Sequence, residues 1–160
     1  MVKMPERLSS IEAAACWMQY CTAYMLIEFG EMKRGDVVLI TAAASSVGHA
    51  AIQIANVVGA RPIATTRKAD KVRALLDAGA SAVINTQESN LMEEVRRLTK
   101  DKGVNIIFDP VVGPQLEGLC TAAAPAANIF LYGLLDPTPV PFPLIPALAK
   151  DLTIRTISLC

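Results

Sequence analysis

Short runs of β-branched and aliphatic residues alternate along this chain with segments whose apolar positions recur every three or four residues. The first spacing suits strands buried on both faces, and the second suits helices lying on them. Residues 8–29 read as a helix that is apolar on most faces, with Ser9 or Ser10 as its N-cap and Gly30 as its stop. A polar turn, Lys33-Arg34-Gly35-Asp36, leads into a first strand over residues 37–41. Further strands are predicted over 61–65, 82–85, 105–109 and 127–132. Between them fall an Ala-rich helix up to Gly59 and a helix over 70–78 that turns Val72, Leu75 and Leu76 inward. A third, capped by Thr86, carries a Leu91, Val95 and Leu98 stripe, and a fourth covers 115–123. Pro137, Pro139, Pro141, Pro143 and Pro146 exclude regular helix or central strand from residues 136–146. A short helix over 147–151 and a last strand over 152–159 close the chain. Six strands joined by five crossovers predict an α/β fold, a doubly wound parallel sheet of the Rossmann type with helices on both faces.

The stretch from Val37 to Gly59 organises the rest. A β-rich run enters a turn of small residues, Ala42 to Gly48, and an Ala-rich helix leaves it. In such folds this order opens the nucleotide site, because a helix N-terminus presents unpaired N–H groups and a partial positive charge to an anion. The six positions of the G-x-G-x-x-G fingerprint read Ala43, Ala44, Ser45, Ser46, Val47 and Gly48, so only the last glycine is kept. Placement carries the assignment. Main-chain N–H groups of Ser45, Ser46, Val47 and Gly48 are expected to hold a pyrophosphate, aided by the two hydroxyls. Residues 40–60 lack any charge, but Thr41, Ser45, Ser46, His49, Gln53 and Asn56 interrupt them, which favours a buried strand and helix over a membrane span.

Composition sharpens this picture. The chain has 160 residues, is 52 % hydrophobic and only 5 % aromatic, and its mean hydropathy is +0.39. One aliphatic core is the result. A formal net charge of zero argues against nucleic acid as a partner. Cys16, Cys21, Cys120 and Cys160 show no C-x-x-C spacing, and with a single histidine no zinc site or disulfide framework is suggested. No signal peptide precedes the first helix, so a cytoplasmic setting is expected, without a membrane.

Ligands on such sheets lie outside the carboxyl ends of the strands, where strand order reverses. The second strand ends at Thr65-Thr66-Arg67, where an NAD site usually has an acid for the ribose 2′-hydroxyl. None is present. Arg67, Lys68 and Lys71 stand there instead and suit a 2′-phosphate, so NADP(H) is favoured over NAD(H). Asp109, Val111, Val112 and Gly113 follow strand four, and Tyr132 and Gly133 follow strand five; both sets are expected along the groove. His49, Cys16 and Cys21 read as packing or surface residues. The Tyr-x-x-x-Lys pair of short-chain dehydrogenases is absent, since Tyr20, Tyr24 and Tyr132 are followed four residues later by Tyr24, Glu28 and Asp136.

The segments LSSIEAAACWMQYCTAY, KRGDVVLITAAASSVGHAAIQIANVVGA, KVRALLDAGASAVIN and DKGVNIIFDPVVGPQLE together resemble the medium-chain dehydrogenases/reductases, and within them the quinone-oxidoreductase-like branch. The resemblance runs from about Leu8 to the last strand. It implies an oxidoreductase that binds NADP(H) or NAD(H) and passes hydride to quinones, enals or other carbonyl substrates. It further implies a catalytic domain beyond this chain, with residues 1–34 as a hinge helix leading from it and 35–160 as the dinucleotide-binding domain. The chain by itself is then expected to bind cofactor without efficient turnover, and a homodimer through the edge strand is a possible assembly. Thr22 matches a threonine that borders the nicotinamide together with Tyr132 and Gly133. Zinc-containing relatives carry a ligand cysteine four residues before that threonine; Met18 stands there, so no zinc is expected in this chain. Thr86 departs from a tyrosine that many NADPH-using relatives carry. Two other readings stay open: a non-enzymatic Rossmann module serving in assembly, and an NAD-dependent zinc alcohol dehydrogenase domain.

Overall fold

The computed structural model of the chain describes residues 6–158. Helix α1 (Ser10–Glu28) precedes β1 (Val37–Ile40), α2 (Ser46–Val58), β2 (Arg61–Thr66), α3 (Val72–Asp77) and β3 (Ala82–Asn85). The second half runs α4 (Leu91–Thr99), β4 (Val104–Asp109), α5 (Leu116–Ala122), β5 (Ala123–Leu131), α6 (Leu144–Ala149) and β6 (Thr153–Thr156). The sheet has six strands in the order β3-β2-β1-β4-β5-β6, every neighbouring pair parallel. That order reverses direction between β1 and β4, and so makes a crevice above their carboxyl ends.

Alternation along each strand divides the core between the two faces. Val38, Ile40, Ile106, Phe108 and Phe130 point toward α1, α2 and α3, where Leu26, Ile52, Ala55 and Leu75 meet them. Leu39, Ile63, Ile84, Ile107 and Ile129 point the other way, toward Val95, Leu116, Leu119 and Cys120 of α4 and α5. Most of these side chains are fully buried, so the inner strands read as largely apolar runs and not as alternating ones, whereas the edge strand β6 is mostly exposed.

Helix ends follow from local chemistry. Ser9 caps α1 in a full capping box with Glu12. Ser45 caps α2, and Gly59 ends it in the left-handed conformation, φ 84°. The C-terminus of α5 has no glycine; instead Lys150 Nζ donates to the carbonyls of Cys120 (3.5 Å), Thr121 (2.5 Å) and Ala123 (2.7 Å). This ammonium ties the end of α6 to the α5–β5 junction.

Several expectations need correction. Thr86 does not cap the third crossover helix: residues 85–89 form a turn on Asn85, and Asn90 caps α4 by accepting from Met92 and Glu93 N–H. Leu76 is 43 % exposed, because one turn of 3-10 helix (Ala69–Lys71) precedes α3 and only Leu75 reaches the core. Helix α6 starts at Leu144, inside the proline-rich stretch, since Pro146 falls in its first turn where no intrahelical N–H is needed. Strand β5 begins at Ala123, and β6 covers only Thr153–Thr156. Residues 1–5 of the expected hinge segment, residue 159 of the expected last strand and Cys160 lie outside the described residues.

Gly48 is where α2 packs closest to the turn after β1. A Cβ built there would stand 2.4 Å from Ala43 O and 2.6 Å from Ala43 Cα. Helix propensity favours alanine over glycine by about 0.8–1 kcal/mol, and the clash opposes it. Gly48→Ala is expected to destabilise the fold by about 1–3 kcal/mol, seen as a lower urea midpoint; a raised midpoint would refute the close-packing argument.

Candidate functional site

The crevice above the reversal point is a groove of about 560 Å³. Its floor and near side are Thr41, Ala42, Ala44 and Ser45, just beyond β1. Thr65, Thr66, Arg67, Lys68 and Lys71 follow β2, and Thr86 and Leu91 follow β3. The far wall comprises Val111 and Gln115 after β4, and Leu135, Asp136 and Pro137 after β5. Of the residues the sequence nominates, Ser45, Thr66, Arg67, Lys68, Lys71 and Val111 line this groove.

The turn between β1 and α2 distributes its amides unevenly. Ser45 N–H donates to Ala42 O at 3.0 Å, and Gly48 N–H donates to Ser45 Oγ at 3.1 Å. Ala43 N–H donates to Thr65 O at 3.2 Å, which pins the turn to the end of β2. The expectation that four amides face an anion is thus too generous. The turn itself engages the amide of Ser45 and the cap that of Gly48, and those of Ser46 and Val47 remain at the open helix end. Ala42 sits at φ 45°, a bend that small side chains make accessible.

The rim after β2 is cationic and exposed. Thr66 Oγ1 accepts from Lys68 N–H at 3.1 Å, folding the chain back so that Arg67, Lys68 and Lys71 sit around the groove mouth. Thr86 N–H donates to Thr66 O at 2.9 Å and continues this rim onto β3. Lys71 Nζ lies 3.9 Å from Asp70, an exposed pair that holds it weakly.

The far wall hangs on Asp109. Its carboxylate is fully buried and accepts from the Thr41 hydroxyl, Val111 N–H (3.2 Å), Val112 N–H (2.7 Å) and Gln115 Nε2 (2.7 Å). One side chain therefore joins the end of β1 to the loop after β4. Burial pushes the Asp109 carboxyl above its usual range, and the donors from Thr41, Val112, Val111 and Gln115 oppose that shift. Val112 adopts φ 62°, ψ −132°, a conformation rare for any residue with a Cβ and costing about 1–3 kcal/mol. Beyond it the loop after β5 crosses over: Leu135 N–H donates to Pro110 O and Asp136 N–H to Val111 O, both at 2.9 Å.

The other nominated residues sit around the groove without lining it. Thr22 is buried in α1, its hydroxyl donating to Met18 O at 2.8 Å. Ser46 is exposed at the start of α2, Val47 packs against the core, and Gly48 is buried under Ala43. Asp109 is behind the wall it supports. Tyr132 stacks on Phe108, ring centroids 4.0 Å apart, and Gly133 abuts Pro110. Gln115, Leu91, Leu135, Asp136 and Pro137 line the groove unforeseen. The strand-end rule, carried two residues beyond Gly133, would have reached Leu135; nothing local announces Gln115.

With this geometry in hand, known proteins supply the context. A family model described as zinc-binding dehydrogenase matches residues 46–160. The human synaptic vesicle membrane protein VAT-1 homolog is 32% identical over 134 residues, 83% of this chain and 34% of that protein. Quinone oxidoreductase from Salmonella typhimurium is 38% identical over 109 residues, 68% of this chain and 33% of that protein. The solved structure of Escherichia coli quinone oxidoreductase complexed with NADPH superposes with a TM-score of 0.89 at 29% identity, covering 98% of this chain and 49% of that one. The chain spans about a third of the length of these curated relatives.

Asp109 yields a pH prediction. A carboxyl whose folded pKa is raised contributes stability that is complete below its unfolded pKa and is lost as pH rises through the folded value. Stability contributed by this group should therefore fall as pH rises above about 4, the unfolded value of an aspartate. Asp109→Asn should flatten that slope in urea midpoints; an unchanged slope would remove Asp109 as its source.

Proposed function

The chain belongs to the zinc-binding dehydrogenase family, as a cofactor-binding domain of the medium-chain dehydrogenase/reductase type, and from that premise we propose that its groove binds NADP(H) in preference to NAD(H). The observation that carries this reading is the rim after β2, where Arg67, Lys68 and Lys71 surround the position an NAD site gives to an acid. The dinucleotide would lie across the β1/β4 reversal with its 2′-phosphate on that rim, held by charge-assisted bonds. Its pyrophosphate would meet the Ser46 and Val47 amides and the positive end of α2. Val111, Gln115 and Leu135 would close the far side. When bound, the cofactor supplies hydride chemistry, and this domain orients it toward a quinone, enal or other carbonyl substrate.

Among the described residues, no three His, Cys, Asp or Glu side chains group to hold a metal ion. Met18, at the position of the relatives' ligand cysteine, is 63 % exposed on α1. Also among the described residues, no helix is long and apolar enough to cross a membrane.

Two finer elements complete the proposal. The outer face of α1 exposes Ile11, Trp17, Met18 and Tyr24, an apolar surface that suits a hinge against a catalytic domain. Turnover would then depend on that domain, and this chain would bind cofactor without efficient catalysis. Strand β6, at the sheet edge, offers unpaired backbone groups to a second copy.

Calorimetric titration with NADPH and with NADH, at one fixed salt concentration, tests the reading. NADPH should bind more tightly, and Arg67→Ala or Lys71→Ala should each weaken it by about tenfold while sparing NADH. Equal affinity for the two cofactors would reduce the basic rim to ordinary surface. A chain that bound neither would refute the proposal.

A further inference from the structure

The side-chain amide of Gln115 is held from behind the groove wall. Asp109, fully buried, already accepts from the Thr41 hydroxyl and from the Val111 and Val112 amides, so a fourth neighbour meets it as a donor. Gln115 does so, giving Nε2–H to Asp109 Oδ1 at 2.7 Å. That bond decides which way round the amide lies. Its nitrogen faces the buried carboxylate, and Oε1, on the other branch of the same plane, stands clear of it. Gln115 is half-buried and lines the groove, and its Oε1 has no hydrogen-bond partner among the described residues. Leu116 and Leu119, just beyond it in α5, are buried, so the backbone that carries this amide is fixed as well.

The groove around that oxygen suits a flat ring. Leu91 enters it from the β3 side, and Val111, Leu135 and Pro137 enter from the β4 and β5 side. Aliphatic walls can cover the faces of a purine, and its edge then needs a polar partner. The ribose whose 2′-phosphate would sit on the basic rim also carries the base, which keeps the base in this same groove. Adenine presents an amino donor at C6 with a ring-nitrogen acceptor beside it. A glutamine amide answers with a carbonyl acceptor and an N–H donor. Asp136 is the other side-chain acceptor on that wall, and its Oδ1 already takes Thr138 N–H at 3.0 Å.

We propose that Gln115 is a specificity-determining residue: its Oε1 accepts from the 6-amino group of the bound dinucleotide's adenine and selects adenine over 6-oxopurines. The inference rests on the dinucleotide reading of the groove and deepens it from the phosphate to the base. The direction of selection follows from the atoms. A 6-oxopurine such as hypoxanthine puts a carbonyl oxygen where adenine has its amino group, and two acceptors then face each other. A glutamine free to turn would simply offer its nitrogen instead. Here that rotation would set Oε1 against the Asp109 carboxylate, acceptor against acceptor, inside the wall. The buried carboxylate thus locks the amide in the orientation that suits an amino group.

Calorimetric titration with NADPH, and with the analogue in which hypoxanthine replaces adenine, tests this directly. The two share every phosphate and the nicotinamide, so their ratio isolates the base. The wild-type chain should prefer NADPH by about tenfold. Gln115→Lys keeps a donor for Asp109 and offers no acceptor, so the preference should invert and the hypoxanthine compound should bind more tightly. Gln115→Met, similar in length, should bring the ratio close to one, and it serves where the lysine variant fails to fold; melting curves establish which variants are folded. A merely structural glutamine would weaken both compounds alike and leave the ratio unchanged, and that outcome overturns the proposal. A preference for adenine that survives in the folded variants assigns it to another group, such as Asp136, and overturns the proposal too. Equal binding of the two compounds by the wild-type chain overturns base selection while leaving the dinucleotide reading intact. Failure of the wild-type chain to bind either overturns that reading and this inference with it.

Discussion

A single buried carboxylate, Asp109, holds the two halves of the groove in register. Four donors converge on it, from the end of β1, from the loop after β4 and from the first turn leading into α5. Among the described residues no cation pairs with it, and hydrogen bonds offset the cost of keeping a charge in the interior. The unusual backbone of Val112 is tolerable because its N–H is one of those donors. The loop after β5 then builds on the shaped loop after β4 through Pro110 and Val111. Remove that anchor, and Gln115, Val111 and Asp136 lose their common frame.

The parallel sheet imposes the complementary demand. With both faces covered, the strands need aliphatic side chains on each side, and the scarcity of aromatics in the chain reflects it. Phe108 and Phe130 are the exceptions, both buried on the α1–α2 face. The close approach of α2 to the turn after β1, permitted by Gly48, is what brings a helix N-terminus to the groove floor at all.

Much of this was legible from residue patterns, for identifiable reasons. Strand positions followed from local apolar runs, and the order strand, small-residue turn, helix located the groove because those signals are contiguous in sequence. The basic rim was legible for the same reason, since Thr66, Arg67 and Lys71 belong to one strand end. What escaped depends on competition or on distance. Thr86 and Asn90 are both acceptable caps, and only the turn on Asn85 decides between them. The pattern placed Ser45 and Gly48 near an anion but missed that capping engages the Gly48 amide. Gln115 and Asp136 reach the groove through loops whose crossing is a long-range event, and no local pattern encodes it. Asp109 was legible as a residue at the strand end, yet its direction, inward to the loop and not outward to a ligand, required the fold.

The exposed face of α1 has an optical consequence. The chain's only tryptophan, Trp17, lies there, 60 % exposed and outside both core clusters. Its indole emission therefore starts red-shifted in the folded state and changes little when the sheet melts. The intrinsic fluorescence of this protein is a poor thermometer for its core and a sensitive gauge of whatever comes to cover α1.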